Sequence, residues 1–504
     1  SDGYEDLLRF QAEIHVYAGR PTIEIDYTVV NRLGNYLHPV DEPSDYFHQH
    51  MAQPSIGTID IEIQLDDGLR SYRLGMEGEE DLKGEVPEGA EVQLYQTGPG
   101  TWDGGTFEVV VQRSDADERK TVHRGARAGG WVAAQGSGVQ VCAGVRYFWQ
   151  QHPKAIRVDG RKLSLGLWSP SKGNFSMERG LAKTHRVLLS FGSAEALFDA
   201  DLAGLSSPLR AVAPPAWYCD SKALGDLCPV DSDAFPRYEA FAEKGLPGFL
   251  SIREEKQEYG VRDFGDWSYS RYLRGWGNIE YDLPYAFLLQ FVRSGDVEFL
   301  EEAERNALHF IDIDIIHDDT DHFIVGAPHV HANDHRNEDI SYDAAFGRYD
   351  PGHIWVQGLL TYHFLTGHRR AIEVAEGIGD FTARLFERTR VIGRQVRQIG
   401  WPLVSLTAMY EATGKEHYLC GARRVMDQAL EWQDPERGHF PHPIGMISPS
   451  ECLHFPRCLG TKPFQMGVVM EGLRMFYQQT GDEAVAEAVR RGAKWLVDEA
   501  WVEH

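Results

Sequence analysis

The chain has little cysteine, few basic side chains relative to acidic ones, and no long hydrophobic run. Its 504 residues include 6 cysteines, 50 lysines and arginines, and 76 aspartates and glutamates, which gives a formal net charge of −26. Six cysteines are too few to indicate a disulfide scaffold. The acidic excess, with no basic stripe to offset it, argues against a nucleic-acid partner. No apolar run approaches the roughly 18–20 residues of a membrane span, so we expect no membrane partner.

The overall composition is that of a globular protein with more than one domain. At about 100–200 residues per domain, the length predicts two to four domains. The sequence starts at Ser1 without a charged-then-apolar leader, so we expect a processed or truncated start. A secreted or periplasmic location is favoured over a cytoplasmic one, and the oligomeric state is left open.

The first part of the chain alternates between apolar and polar residues with a period of two. Clear examples are the segments 22–30, 59–63 and 107–111, which are rich in β-branched and aromatic residues. Such alternation, punctuated by glycine-rich turns, predicts antiparallel strands that each bury one face. We therefore assign residues 1–198 to a β-sandwich domain.

The pattern changes after residue 198 and becomes helical after residue 247. Prolines 208, 214 and 215 indicate a linker over 199–247 that leads into the next domain. In 248–504, four apolar helices each end at a glycine and are followed at once by an amphipathic helix. Glycine directly after a helix is typical of a C-terminal cap. The four glycines are Gly295, Gly367, Gly414 and Gly481.

These patterns predict an α+β multidomain fold, with an N-terminal antiparallel β-sandwich followed by a C-terminal (α/α) toroid of about six helical hairpins. Unequal spacing between the hairpins favours a closed toroid over an open solenoid. In such a ring the long loops between hairpins emerge on one rim, where binding and catalysis are expected. These loops cover about 251–283, 317–352, 390–400 and 434–463.

Histidines concentrate on one of these loops, because nine of the 21 lie between His309 and His368. β-Elimination from a uronic acid needs a group that neutralises the carboxylate, a base of pKa near ambient pH, and an acid for the leaving oxygen. This loop offers all three types. The candidate catalytic residues are His331 or His335 as base, Tyr342 as acid, and Arg348 or Asn333 as carboxylate neutraliser.

Aromatic and polar side chains on neighbouring loops are candidates for sugar binding. Aromatic faces stack on the apolar side of pyranose rings, and arginine can hold a carboxylate through two hydrogen bonds. The substrate-binding candidates are Arg262, Trp267, Trp276, Asn278, Tyr281, His353 and Trp355.

Hydrolysis and simple glycan binding are alternatives to elimination. Glycoside hydrolysis needs two carboxylates about 5 to 9.5 Å apart. Nothing in the sequence singles out a pair among Asp266, Glu280, Asp282, Glu338 and Asp339. A non-catalytic glycan-binding protein would need neither a base nor a carboxylate pair.

A metal site is a further alternative for the histidine-rich loop. His329, His331 and His335, with Asp334 or Glu338, are ligand types at close spacing. Such spacings arise by chance in any histidine-rich loop. We therefore predict no metal and no cofactor, although a bound divalent metal is compatible with these residues.

Several motifs in the helical part resemble a known family. They are Asp263-Phe264-Gly265-Asp266, the segment 276–282, and Gly352-His353-Ile354-Trp355 with Leu365-Thr366-Gly367. They resemble the exo-acting rhamnogalacturonan lyases and their YetA-like bacterial relatives. The resemblance covers the toroid well and the sandwich loosely. It implies β domains ahead of an α/α toroid, and β-elimination on a uronic-acid-containing polysaccharide such as rhamnogalacturonan.

Members of that family carry a further β domain ahead of the sandwich, which we expect to have been lost or removed here. The sequence-based prediction is therefore a polysaccharide lyase, with an acidic polysaccharide or oligosaccharide as its partner.

Overall fold

The computed structural model divides the chain into two units. The first is Ser1–Arg274 with Val292–Val297, and the second is Gly275–Phe291 with Glu298–His504. The residues described are 8–32, 55–66, 68–97, 106–113, 119–138, 140–169, 175–177, 180–192, 195–268, 276–319, 322–328, 350–445 and 452–501.

Two antiparallel sheets form the N-terminal part of the first unit. The order in the seven-stranded sheet is β1 (Leu8–Val16), β2 (Thr22–Asn31), β15 (Ala182–Phe191), β11 (Gln140–Val145), β10 (Ala128–Gly136), β5 (Leu69–Met76) and β6 (Leu82–Glu85). The order in the six-stranded sheet is β4 (Ile59–Gln64), β13 (Lys162–Trp168), β12 (Lys154–Val158), β7 (Ala90–Thr97), β8 (Thr106–Arg113) and β9 (Arg119–Gly125). A short pair joins β3 (Ser55–Ile56) to β14 (Phe175–Ser176).

The two sheets enclose a single hydrophobic core. Leu74 and Val132 of the seven-stranded sheet pack in the same cluster as Val92, Leu94 and Val109 of the six-stranded sheet. All five side chains are almost completely buried, and their polar neighbours along each strand are more exposed. The period-two alternation therefore buries one face of each sheet. The predicted β-sandwich is confirmed, while its boundary at residue 198 stays a prediction.

Three helices occupy or border the segment predicted as a linker. They are α1 (Glu195–Ser206), α2 (Pro215–Ser221) and α3 (Pro236–Lys256). Both α2 and α3 have proline in the first turn. Proline is favoured there because its missing N–H would have no partner within the helix.

The C-terminal part is helical and consists of consecutive pairs. The helices are α4 (Leu283–Ser294), α5 (Val297–Asp312), α6 (Gln357–Thr366), α7 (Arg369–Leu385), α8 (Arg397–Thr413), α9 (Glu416–Trp432), α10 (Pro463–Thr480) and α11 (Glu483–Trp495). A 3₁₀ turn at Pro351–His353, a short ribbon of β16 (His442–Pro443) and β17 (Leu459–Gly460), and a π turn at Leu496–Ala500 complete the described elements.

The predicted glycine stops are confirmed. Gly367, Gly414 and Gly481 have φ of 75, 67 and 65°, and each N–H donates to the carbonyl oxygen four residues earlier. Gly295 has φ 75° between α4 and α5. Left-handed backbone is inexpensive only for glycine, so each glycine ends one helix and lets the next begin within three residues.

The two helices of a hairpin differ in how they are buried. Helix α8 is buried on all sides over most of 398–409, whereas α7 buries one face through Ala371, Val374 and Ile378. Helix α8 packs against α9 and α10. This is the pattern of an inner and an outer helix layer. The described residues include four hairpins, and closure of about six into a toroid stays a prediction.

Among the described residues, we find no helix whose length and hydrophobicity would suit a membrane span.

Candidate active site

Residues from three of the long loops meet at the guanidinium of Arg397 in the second unit. Its Nη1 lies 3.3 Å from Oε1 of Glu280 and 3.2 Å from the hydroxyl oxygen of Tyr281. Its Nη2 lies 3.8 Å from Oδ2 of Asp350. Glu280 and Tyr281 precede α4, Asp350 precedes α6, and Arg397 begins α8. We call these four residues the Arg397 cluster.

Hydrogen bonds from outside the cluster fix its geometry. The Nε of Arg397 donates to Oε1 of Gln395 at 2.8 Å. Oδ1 of Asp350 accepts from Nε2 of Gln398 at 2.9 Å and from the backbone N–H of Gly352 at 2.7 Å. The charged groups are thus held in one arrangement before any ligand binds, which is the condition for electrostatic catalysis.

Neighbouring groups change the pKa of Arg397 more than burial does. Burial alone would lower the pKa of its guanidinium, but attraction to Asp350, Tyr281 and Glu280 raises that pKa overall. The side chains of Glu280 and Asp350 are each only 3% exposed. Because isolated charges are costly inside a protein, the ion pairs with Arg397 favour the burial of these two carboxylates.

An aromatic surface lies beside the cluster. The ring of Tyr281 stacks on Trp401 at 6.0 Å between centroids and meets Phe464 edge-on at 6.5 Å. Tyr281 is 42% exposed and Phe464 55% exposed. Trp355 is buried behind them, 6.5 Å from Tyr281 and 6.0 Å from Trp401. We call Tyr281, Trp401 and Phe464 the aromatic platform, and it is of the kind that stacks against sugar rings.

The backbone that carries Glu280 and Tyr281 is strained. Asn278, Ile279, Tyr281 and Asp282 have φ of 47, 53, 63 and 59°. None is glycine, and positive φ is least favourable for the β-branched Ile279. Such conformations cost about 1–3 kcal/mol each and concentrate at functional sites, where the surrounding structure holds them in place.

The carboxylate of Asp282 anchors this segment to two helices. It accepts from the backbone N–H of Gly358, at 2.9 and 3.1 Å to its two oxygens. It also accepts from the backbone N–H groups of Tyr285 and Gln357, so one side chain caps the starts of α4 and α6. Gly358 is required at this contact, because a Cβ there would lie 2.2 Å from Oδ1 of Asp282.

The ionisation of Asp282 predicts a pH-dependent stability. Burial raises its pKa to about 7, although the three backbone hydrogen bonds act to lower it. An unfolded aspartate titrates near pKa 3.9, so between about pH 4 and 7 the folded state holds a proton that the unfolded state has lost. The contribution of Asp282 to stability is therefore greatest below pH 4 and falls by roughly 4 kcal/mol as the pH rises through 7.

This effect is measured by urea unfolding of the wild type and Asp282→Asn at several pH values from 4 to 8. Every other titrating group is common to both proteins. The difference in unfolding free energy, wild type minus variant, should fall steadily with increasing pH. A difference that is constant or rises would contradict the raised pKa of Asp282.

The predicted catalytic residues are not among those the structure describes. His331, Asn333, His335, Tyr342 and Arg348 all lie in 329–349, and they stay predictions. The same holds for Glu338 and Asp339 as hydrolytic carboxylates, and for the zinc ligands proposed around His329.

The predicted substrate-binding residues separate into three groups. Tyr281 is exposed and belongs to the aromatic platform. Trp276, Asn278, His353 and Trp355 lie in the same unit and are buried, and Trp355 contacts Tyr281 and Trp401 of the platform. Arg262 and Trp267 are partly buried and belong to the first unit. A role for any of them in substrate binding stays a prediction.

Sequence analysis did not identify Arg397, Asp350 or Trp401 as site residues. Arg397 lies in the rim loop predicted at 390–400 and is the first residue of α8, and Trp401 follows four residues later. Asp350 ends the loop predicted at 317–352. Their position along the chain could have identified them, because each lies at or near the junction of a predicted rim loop and the helix that follows it.

One segment of this unit is similar to a family of glycan-degrading enzymes. Residues 312–442 match the family model for the catalytic domain of β-L-arabinofuranosidases of glycoside hydrolase family 127. This range contains Asp350, Arg397 and Trp401. It covers about a quarter of the chain, and the match is therefore a similarity of this segment.

Matches to individual proteins are more distant. The uncharacterized protein YetA of Bacillus subtilis (strain 168) is 26% identical over 238 residues, a match that covers 38% of this chain and 28% of the relative. An unsaturated glucuronyl hydrolase specific for heparin is 12% identical, with a TM-score of 0.29 over 43% of this chain and 55% of that one. A polysaccharide lyase is 10% identical, with a TM-score of 0.30 over 96% and 92% of the two chains. TM-scores this low carry no argument about mechanism.

The family model is that of a hydrolase, and the two solved structures are a hydrolase and a lyase. The similarity to YetA agrees with the family resemblance of the motifs, while specificity for rhamnogalacturonan is not established.

Proposed function

We propose that this protein degrades an acidic glycan by β-elimination at the aromatic platform. The observation that carries the proposal is the placement of the Tyr281 hydroxyl, which accepts a hydrogen bond from Arg397 at the exposed edge of the platform. A phenol beside a guanidinium can exchange a proton with a bound sugar, because the positive charge stabilises the oxygen when the proton is absent.

The reaction has a simple proton balance. A base removes the C5 proton of a uronic acid residue, the electron pair forms the C4–C5 double bond, and the C4–O4 bond breaks. The leaving oxygen takes up a proton. We assign one of these two transfers to Tyr281 and the other to the histidines predicted at 331 and 335. Arg348 or Asn333 remains the proposed partner of the substrate carboxylate.

Hydrolysis is the second candidate, because the cluster contains two carboxylates. Glu280 and Asp350 both lie within 4 Å of terminal nitrogens of Arg397, and a hydrolase needs such a pair on either side of the scissile bond. Elimination is favoured because both carboxylates are buried and paired with Arg397, whereas the groups that face solvent are a phenol and aromatic rings.

The two reactions are distinguished by their products. The purified chain is incubated with pectic, glucuronate-rich and sulfated glycans, and both reducing ends and near-ultraviolet absorbance are followed. Elimination is expected to produce them together, because each cleavage creates an unsaturated sugar. Reducing ends without absorbance would establish hydrolysis. Binding by calorimetry without any product would indicate a non-catalytic glycan-binding protein.

A further inference from the structure

Two thiols and an imidazole lie close together in the segment between β16 and β17. The Nδ1 of His454 lies 3.6 Å from Sγ of Cys452 and 3.4 Å from Sγ of Cys458. All three potential ligand atoms lie within 4.8 Å of one another. The three residues are independent of the Arg397 cluster and take no part in the proposed reaction.

We propose that Cys452, His454 and Cys458 bind a zinc ion. Thiolate sulfur and imidazole nitrogen are the ligand types that zinc prefers over magnesium, calcium and manganese. Three protein ligands leave one of four tetrahedral positions for water or a solute. His454 and Cys458 are exposed, so the open position faces solvent.

The distances fit this assignment. With Zn–S near 2.3 Å and Zn–N near 2.0 Å, tetrahedral geometry separates a sulfur ligand from a nitrogen ligand by about 3.6 Å. The two sulfur-to-nitrogen distances of 3.4 and 3.6 Å agree with that spacing.

The backbone around the cluster is held before metal binds. The N–H of Cys458 donates to Sγ of Cys452 at 3.4 Å. The carbonyl oxygen of Cys458 accepts from the N–H of Ile444 at 2.9 Å, and Arg457 donates to the carbonyl oxygen of Gly445. Pairing of β16 with β17 continues this arrangement.

Zinc at this position would close the segment that leads into α10. That helix begins at Pro463 and carries Phe464 of the aromatic platform in its first turn. The metal would therefore restrict the movement of the segment just before Phe464. Loss of the metal would make this segment more mobile.

The test measures metal in the full chain, purified without chelators and under reducing conditions. Elemental analysis should find about one zinc per chain. Cys458→Ser and His454→Gln should each reduce the zinc content at least about tenfold, and Cys420→Ser should leave it unchanged. Cys420 is the matched control because it is an exposed free cysteine on α9. Exposed ligands are chosen because substitution of the buried Cys452 could impair folding.

Cobalt supplies an independent readout. After removal of bound metal, Co²⁺ should give thiolate-to-cobalt charge-transfer absorption in the wild type and in Cys420→Ser, with little in Cys458→Ser. The proposal is overturned if the wild type retains no zinc and gives no such spectrum, or if the Cys458→Ser and His454→Gln variants retain it. A mass lower by two hydrogen atoms in the protein purified without reductant would instead assign Cys452 and Cys458 to a disulfide.

Discussion

Arg397→Met is expected to lower the free energy of unfolding by about 3–5 kcal/mol, because it removes the guanidinium that pairs with two buried carboxylates. Glu280 and Asp350 are each 3% exposed and share this one guanidinium. Methionine retains most of the aliphatic length of the side chain, so the loss reports mainly on charge. Urea unfolding at pH 7 measures the effect.

Two further variants separate charge from packing. Arg390→Met removes an exposed arginine whose partner Glu431 is also exposed, and it should change stability by no more than about 1 kcal/mol. Adding Glu280→Gln and Asp350→Asn to Arg397→Met should recover part of the lost stability, since the uncompensated charges are then absent. If Arg397→Met were as stable as Arg390→Met, the cluster would not be a buried ionic site.

Tyr281→Phe is expected to reduce kcat by about 10²- to 10⁴-fold while leaving the fold intact. The substitution removes only the hydroxyl that contacts Arg397, and the ring can still stack on Trp401. Because the platform is retained, KM should change little. Initial rates on whichever glycan is cleaved in the product assay provide the measurement.

Matched variants distinguish proton transfer from binding. Trp401→Ala removes part of the stacking surface and should mainly raise KM. Tyr410 lies on the same helix, about 14 Å beyond Trp401, and Tyr410→Phe should leave both constants unchanged. A Tyr281→Phe enzyme that retained its kcat and raised only KM would assign Tyr281 to binding alone.

Local chemical signals explain which elements could be predicted from the sequence. Gly367, Gly414 and Gly481 determine helix ends through their own backbone preference, so the hairpins could be predicted without knowledge of their packing. Strand alternation is similarly local. Proline, however, is common both in linkers and in the first turn of helices. Pro215 was therefore interpreted as part of a linker, although it begins α2.

The Arg397 cluster could not be predicted in this way because no local pattern connects its members. Arg397 lies 117 residues from Glu280 along the chain, and nothing in either neighbourhood requires the other. Its formation depends on how α8 packs against its neighbours. The loop expectation placed Tyr281 in a segment that precedes a helix, but the charged residues paired with it depend on tertiary packing.

The strained segment at 278–282 has a consequence for the order in which this unit forms. Its left-handed residues persist only while Asp282 holds Gly358, 76 residues away, and Glu280 and Tyr281 meet Arg397, 117 and 116 residues away. A folding chain cannot maintain that geometry until α6 and α8 have assembled, because contacts so distant in sequence form late. The geometry of the Arg397 cluster would therefore form after most of the secondary structure.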